Sequence, residues 1–296
     1  MKTIEYLGQQ CLELSNGPLR LYLTQSVGPR IILLTINGSQ NLLAELPNRI
    51  IECPGKGDFH LYGGHRLWHA PEEPRRTYLP DDQPVEVQSI PDGVRLTQPA
   101  PPETGIQKEI KVRLEAEANR VQIEHILTNF GLWPVTCSPW AITQMRAGGV
   151  AFLPQNLDLQ AGNPTLPNRP LTLWTYTDIN NPAITWGNDI IQVRAQMEAG
   201  KLKIGFPNPR GWLAYWLEGT LFVKRAAFDP QAGYFDFGSS SECYCNPLFI
   251  EMETLGPIAT IQPGESIHHL ETWELYAGFP WPEDLGELAA FIEKSS

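Results

Sequence analysis

The stretch EIKVRLEAEANRVQIEHIL, from Glu109 to Leu127, decides the fold class of this 296-residue chain. Apolar residues occupy alternate positions on both sides of a break at Ala118-Asn119. An extended chain places such residues on one face, so the stretch predicts two half-buried antiparallel strands joined by a turn. The apolar face consists of Ile110, Val112, Leu114, Val121, Ile123 and Leu127.

The same alternation continues in both directions along the chain. The segment Cys11–Leu23 alternates around Asn-Gly-Pro, and Val85–Gln98 alternates around Pro-Asp-Gly, which predicts two further hairpins. Only the tail Pro282–Lys294 has helical spacing, with one apolar stripe made of Leu285, Leu288, Ala289 and Ile292. No linker interrupts the pattern. We therefore predict an all-β protein with one domain over residues 1–296, a large antiparallel sandwich with a short C-terminal helix.

Charge and composition exclude several function classes. The chain has 22 Lys and Arg against 33 Asp and Glu, a formal net charge of -11. Nucleic acids and anionic membranes need a basic surface, so neither is expected as a partner. The N-terminus lacks the apolar run of a signal peptide, and no stretch approaches the roughly 18 apolar residues of a membrane helix. We expect a soluble, cytoplasmic protein, and the five scattered cysteines predict reduced thiols.

The segment YGGHRLWHAPE, Tyr62–Glu72, concentrates aromatic and polar groups. A His-x-x-x-His pair binds zinc when both rings project from one face of a helix. Here Gly63-Gly64 precedes the pair and Pro71 follows it, and these residues disfavour a regular helix. We therefore predict no metal site, and nothing in the sequence calls for a cofactor.

An extended backbone divides the side chains of this segment between two faces. His65 and His69 would face one way, and Arg66 and Trp68 the other, unless the backbone turns at the glycine pair. Two interpretations remain open. In the first, Arg66 pairs with a glutamate at position 72 or 73 on the rim of the sandwich. In the second, these side chains bind sugar hydroxyls and stack on a sugar ring.

A late strand, PLFIEMET, carries a pair of carboxylates. Alternation places Phe249, Glu251 and Glu253 on one face of this strand. Two nearby carboxylates repel each other, which raises the pKa of one of them and suits proton transfer near neutral pH. The alternative is a solvent-exposed strand face, which is common in antiparallel sheets.

Four segments together resemble the galactose mutarotase-like superfamily, whose fold is a large β-supersandwich. They are Gly28–Glu45, Leu127–Thr143, Phe249–Tyr276 and Gly63–Glu72. The last two look more like an uncharacterised branch of that superfamily, known only as a domain of unknown function. The resemblance covers most of the chain, so it implies the supersandwich fold and a carbohydrate ligand.

The resemblance also implies catalytic roles. In the aldose 1-epimerases of this superfamily, a glutamate on a late strand is the base and a mid-chain histidine is the acid. The glutamate matches Glu251. No histidine stands in the corresponding mid-chain segments Asn129–Gly131 and Ser138–Ala141, so the candidates for the acid are His65 and His69. His125 is a third candidate, but it shares its strand face with apolar residues, which favours a core histidine.

We therefore predict a carbohydrate-binding protein with an aldose 1-epimerase-like isomerase activity, or alternatively a non-catalytic sugar sensor or binding module. A small-molecule carbohydrate is the expected partner, and the oligomeric state is left open. The predicted substrate-binding residues are Arg66, Trp68, Trp140, Lys224 and Glu253. Trp140 has a second interpretation as a core residue. A phosphorylated sugar would be bound through Arg66 or Lys224, although the net negative charge disfavours anionic ligands.

Overall fold

The computed structural model describes residues 2–116, 118–157 and 165–295. Nearly all of its regular elements are strands. In chain order they are β1 (Lys2–Tyr6), β2 (Gln9–Ser15), β3 (Leu19–Thr24), β4 (Arg30–Ile36), β5 (Glu45–Cys53), β6 (Gly57–Ala70), β7 (Glu86–Ile90), β8 (Gly93–Thr97), β9 (Ile106–Leu114), β10 (Arg120–Asn129), β11 (Val135–Arg146), β12 (Val150–Pro154), β13 (Thr172–Leu173), β14 (Ile184–Thr185), β15 (Ile190–Arg194), β16 (Leu202–Phe206), β17 (Trp212–Leu217), β18 (Thr220–Ala226), β19 (Ser241–Cys245), β20 (Phe249–Leu255), β21 (Ala259–Ile261) and β22 (Ser266–Ala277). The helical segments are α1 (Pro74–Thr77), α2 (Phe235–Gly238) and α3 (Leu285–Lys294).

The strands form two large antiparallel sheets. The first has twelve strands, ten of them in the order β1-β2-β3-β4-β6-β11-β20-β19-β16-β13, with β5 beside β6 and β21 beside β11. The second has ten strands in the order β14-β15-β12-β17-β18-β22-β10-β9-β8-β7. The hairpins predicted from alternation are β2/β3, β7/β8 and β9/β10. The all-β sandwich prediction is confirmed.

The main hydrophobic core contains side chains from both sheets. The six alternating apolar residues predicted for the buried face of the β9/β10 hairpin belong to it, and none is more than 6% exposed. Full burial of one such side chain contributes about 1.5–3 kcal/mol. A slip of one residue would turn the whole apolar set toward the other face, so this core fixes the strand register.

The C-terminal helix covers the outer face of the ten-stranded sheet. The Asp284 carboxylate caps α3 by accepting hydrogen bonds from the backbone N–H groups of Gly286 and Glu287. Leu288, Ala289 and Ile292 are buried against β17 and its neighbours, and Leu285 packs at their edge. The predicted apolar stripe is therefore confirmed. In the described part of the chain, no helix combines the length and the hydropathy that a membrane span requires.

Candidate functional site

A cavity of about 320 Å³ lies on the face of the twelve-stranded sheet that is turned away from the main core. We call this face the cavity face. The central strands β6, β11, β20, β19 and β16 cross it side by side. The residues that define its floor are Arg66, Trp68, Trp140, Gln144, Tyr244 and Glu251. Its volume falls at the lower end of the range of small-molecule sites, about 300–1,000 Å³.

Four larger cavities, of about 420 to 680 Å³, lie elsewhere on the described part of the protein. Size alone would favour them. The smaller cavity is the better candidate because a buried carboxylate with a shifted pKa, two buried cations and several aromatic rings converge on it.

The glycine pair in β6 is the point where this strand changes its neighbour. Up to Gly63, β6 pairs with β5, and from His65 onward it pairs with β4. Both glycines have positive φ angles, and a Cβ at Gly63 or Gly64 would lie within about 2 Å of a neighbouring backbone oxygen. Only glycine allows this approach without displacing the backbone. The turn that the glycine pair permits is thus only a local irregularity within one continuous strand.

Beyond the glycines, β6 alternates as expected for an extended chain. Arg66 and Trp68 point into the cavity, and Leu67 joins the main core on the other side. His65 and His69 share the orientation of Leu67 and do not line the cavity. The face assignment made from the sequence is therefore correct, and the backbone does not bring the two sets together.

On β20, the predicted division of side chains is also observed. Phe249 and Glu251 line the cavity, whereas Ile250 and Met252 belong to the main core. Glu253 lies on the cavity side but below its floor, fully buried. The two carboxylates thus share a face, and only Glu251 is open to the cavity.

Glu251 is held through one of its two carboxylate oxygens. Its Oε1 accepts hydrogen bonds from Arg66 Nη2 at 3.0 Å and from Gln144 Nε2 at 2.9 Å. No such bond to Oε2 is formed within the described residues, so Oε2 is the oxygen available to a ligand. Burial raises the pKa of Glu251 to about 7, although Arg66 opposes the shift, and the charge of Glu253 adds to it.

Arg66 joins the carboxylate to an aromatic wall. Its guanidinium carbon lies 4.3 Å from the centre of the Trp68 ring, a cation–π arrangement. The rim pairing considered from the sequence is wrong, because the partner of Arg66 is Glu251. Glu72 instead accepts a hydrogen bond from the Tyr78 hydroxyl, and Glu73 caps α1.

Glu253 positions the floor of the cavity and has no access to it. Its Oε2 accepts hydrogen bonds from Trp140 Nε1 at 2.7 Å and from Lys203 Nζ at 3.0 Å. Lys203 also pairs with Glu242 at 2.6 Å. The Trp140 ring, which contacts Trp68 edge to face, is thereby fixed as part of the cavity lining. Both interpretations of Trp140 hold in part, since it is buried and its ring forms the floor.

His65 belongs to a polar network in the interior of the sandwich. Its Nδ1 lies 2.9 Å from Thr143 Oγ1, and its Nε2 lies 2.7 Å from Nε2 of His125. His125 Nδ1 donates to the backbone oxygen of His269, so its Nε2 must accept from His65. Both rings are satisfied in the neutral form, and burial holds the pKa of each below its usual value.

The His69 side chain lies on the same face of β6 as His65 and is also buried. Neither of its ring nitrogens has a hydrogen-bond partner among the described residues. Burial lowers its pKa to about 3, with Lys108 and Arg76 adding to the effect. A histidine with this pKa is neutral at pH 7 and does not supply an imidazolium as the acid, and its ring does not line the cavity.

Lys224 is not part of the cavity lining. It is fully buried, and its ammonium lies 2.8 Å from the Glu271 carboxylate. It also donates to the backbone oxygens of Ala141 and Met252 and to Thr143 Oγ1. Every direction from which a sugar could approach is filled by the protein, so we correct its predicted role from ligand binding to structure.

Three residues of the interior network have side-chain atoms that can bind a metal ion. Ligand atoms of His65, His125 and Glu271 all lie within 4.8 Å of one another. The hydrogen bonds described above use both histidine rings, and Lys224 already neutralises Glu271. A divalent cation in this position would face the Lys224 ammonium at short range in a medium of low dielectric constant.

We therefore expect protein purified without an affinity tag to contain no stoichiometric zinc. Elemental analysis of the dialysed protein provides the measurement. Finding one zinc per chain, and losing it when His65 and His69 are replaced, would contradict both the sequence argument and the electrostatic one.

Several residues of the site were not identified from the sequence. Alternation in β11 would have placed Gln144 on the face of Trp140, so a local signal existed for it. None existed for Lys203, Glu242 and Tyr244. They join the site only because β19 pairs with β20 in the register that sets Glu242 opposite Glu253 and Tyr244 opposite Glu251. The pairing of β16 with β19 then sets Lys203 opposite Tyr244.

Comparisons with known proteins bear on the fold. No protein-family model matches the chain, and no curated protein matches it in sequence. Among solved structures, the Slr1438 protein of Synechocystis sp. PCC 6803 is 13% identical, with a TM-score of 0.57 over 94% of this chain and 100% of that one. A galactose mutarotase-like protein of Lactobacillus casei ATCC 334 is 11% identical, with a TM-score of 0.54 over 90% and 100%.

A third structure is part of a larger protein. It is a TPR-domain containing protein of Parabacteroides distasonis ATCC 8503, 11% identical with a TM-score of 0.64, and the match covers 92% of this chain but 48% of that one. Identities of this size show the fold alone. The matches confirm the fold that the resemblance implied, because this chain has the same fold as the galactose mutarotase-like protein.

Proposed function

We propose that the cavity binds a sugar and that Glu251 exchanges a proton with it at or next to the anomeric carbon, as in an aldose 1-epimerase. The observation that carries this proposal is the environment of Glu251. One oxygen is fixed by Arg66 and Gln144, the other is open to the cavity, and the pKa is near 7. A general base works best with a pKa near the working pH.

The walls of the cavity are suited to a pyranose ring. Trp68, Trp140, Trp174 and Tyr176 present apolar ring surfaces, which pack against the C–H groups of a sugar. Gln144 and Asn246 add side-chain amides that donate and accept hydrogen bonds with hydroxyls. A few polar groups among aromatic walls are typical of small-molecule sites.

In this proposal, the Glu251 carboxylate takes the proton of the anomeric hydroxyl while the bond between the anomeric carbon and the ring oxygen breaks. The ring oxygen takes up a proton from water, which gives the open-chain aldehyde. Rotation and the reverse steps produce the other anomer. Arg66 lies beside the carboxylate throughout and favours its charged form.

A second candidate function is sugar binding without chemistry. It is favoured by one observation: the cavity-lining residues of the described chain include no histidine, and both His65 and His69 face the other way. Screening a panel of aldoses separates the candidates. Calorimetry measures binding, and polarimetry or NMR measures anomer interconversion, so binding without any acceleration would support the non-catalytic function.

The pH dependence follows from the Glu251 pKa. Below about pH 7 the carboxyl is protonated and cannot accept a proton, so the catalysed rate should rise with pH and level off above that value. NMR exchange rates between about pH 5 and pH 9, corrected for the spontaneous reaction, give the profile. A catalysed rate that stays constant across this range would argue against Glu251 as the base.

The raised pKa of Glu251 also affects the stability of the folded protein. The rate should rise with pH, whereas the stability contribution of this group falls with pH. Because the pKa of Glu251 is higher in the folded protein than its ordinary value of 4.5, folding favours the protonated form. The contribution of this group is therefore most favourable at low pH and is lost as pH rises toward 7.

A further inference from the structure

The charge of the cavity lining differs from that of the protein as a whole. The protein carries a formal net charge of -11. Its cavity nevertheless has more basic than acidic side chains in its lining. The basic ones are Arg49, Arg66, Lys201 and Lys203, and the acidic ones are Glu72 and Glu251.

Most of these charges have partners within the protein. Arg66 pairs with Glu251, Lys203 pairs with Glu242 and Glu253, and Glu72 accepts the Tyr78 hydroxyl. Two basic residues differ from the rest. Arg49 and Lys201 are exposed, and neither forms an ion pair with any residue that the structure describes.

These two cations stand on opposite walls. Arg49 lies in β5, at one end of the row of strands that forms the cavity, and Lys201 immediately precedes β16 at the other end. Lys201 Nζ is placed 4.4 Å from the centre of the Tyr176 ring, which also lines the cavity. A cleft with cations on both walls attracts anions more strongly than the same charges on a flat surface.

We propose that the natural ligand is a sugar that carries an anionic group, a phosphate or a carboxylate, and that Arg49 and Lys201 provide the charge that binds it. This inference rests on the proposed function, because it assumes that the same cavity holds a sugar ring. The aromatic walls contact the ring, Glu251 faces its anomeric end, and the anionic group lies toward the mouth. It also reverses the expectation drawn from net charge, since the local distribution of charge governs a ligand in a cleft.

The test compares ligands that share one ring. Glucose, glucose 6-phosphate and glucuronic acid are titrated into the protein by calorimetry, with inorganic phosphate as a fourth ligand. We expect the two anionic sugars to bind at least about tenfold more tightly than glucose, with a preference that weakens at high salt. The ratio between phosphate and carboxylate ligands identifies which group is recognised.

Two variants assign the effect to the mouth of the cavity. Arg49→Gln and Lys201→Gln should each weaken binding of the anionic sugars by about tenfold and leave glucose binding unchanged. Arg194→Gln is the matched control, because Arg194 is an exposed arginine in β15 of the other sheet. The Arg194→Gln substitution should change neither the affinity for the anionic sugars nor the affinity for glucose.

Three results would overturn the inference. The first is equal affinity for glucose and the anionic sugars, which would leave sugar binding itself intact. The second is a preference for anions that survives both mouth variants. The third is binding of inorganic phosphate as tight as that of the sugar phosphate, which would show that the ring contributes nothing and would count against the proposed function as well.

Discussion

Replacing Glu251 with glutamine should lower the catalysed rate of anomer interconversion by about a hundredfold or more. Glutamine has the same shape as glutamate, and its side-chain oxygen still accepts hydrogen bonds from Arg66 and Gln144, but an amide cannot take up a proton. The substitution removes no volume from the core, and Glu251 is 8% exposed, so we expect the variant to fold. Polarimetry or NMR measures the rate on a sugar that the unmodified protein demonstrably binds.

Glu218→Gln is a suitable control for this experiment. Glu218 is an exposed residue that pairs with Arg146 outside the cavity, so its replacement should leave the rate unchanged. If the protein only binds sugars, the loss in Glu251→Gln should appear instead as weaker affinity, about 1–3 kcal/mol for a charge-assisted hydrogen bond. A variant that matches the unmodified protein in both rate and affinity would place the site elsewhere.

Replacing Lys224 with methionine should destabilise the protein by about 3–5 kcal/mol. Lys224 and Glu271 are both fully buried, and the substitution leaves the Glu271 carboxylate in the interior without its charged partner. Although burial alone would raise the pKa of Glu271, the charge of Lys224 holds it below the usual value. The contribution of this pair is therefore present at neutral pH and is lost as pH falls below the ordinary carboxyl range. Denaturant unfolding at pH 7 measures the effect.

The double variant Lys224→Met with Glu271→Gln tests whether the unpaired charge is the cause. Removing both charges should cost clearly less than the sum of the two single substitutions, because no isolated ion remains. A loss below about 1 kcal/mol in Lys224→Met would show that Lys224 is dispensable for the interior network. The sequence had assigned Lys224 to ligand binding, and a large effect on unfolding with none on sugar affinity would confirm the correction.

Much of the local geometry could be predicted from the sequence. The period of two in Glu109–Leu127 gave the β9/β10 hairpin and its buried face, since side-chain direction in a strand follows from backbone geometry alone. The same rule correctly separated Arg66 and Trp68 from His65 and His69. It also placed Glu251 and Glu253 on one face. These are relations between residues close in the chain, and no distant contact is needed to fix them.

Alternation could not reveal which face of β6 meets the cavity. All ten residues from Leu61 to Ala70 are buried, because β6 lies between the main core and the cavity. When both faces of a strand are covered, polarity no longer distinguishes inside from outside. From the sequence alone, His65 and His69 were therefore equal candidates with Arg66 for ligand binding. Only the packing of the second sheet over their face of β6 shows that they lie in the interior of the sandwich.

The sequence by itself determined the fold class and which side chains share a face of their strand, among them Glu251 and Glu253. The tertiary structure decided which of those side chains meet. Lys203 and Glu242 reached the site through strand pairings between segments far apart in the chain, and Lys224 was turned into the core by its contacts with β11 and β20. Strand register and sheet order depend on the sum of many long-range contacts, so no short segment contains them.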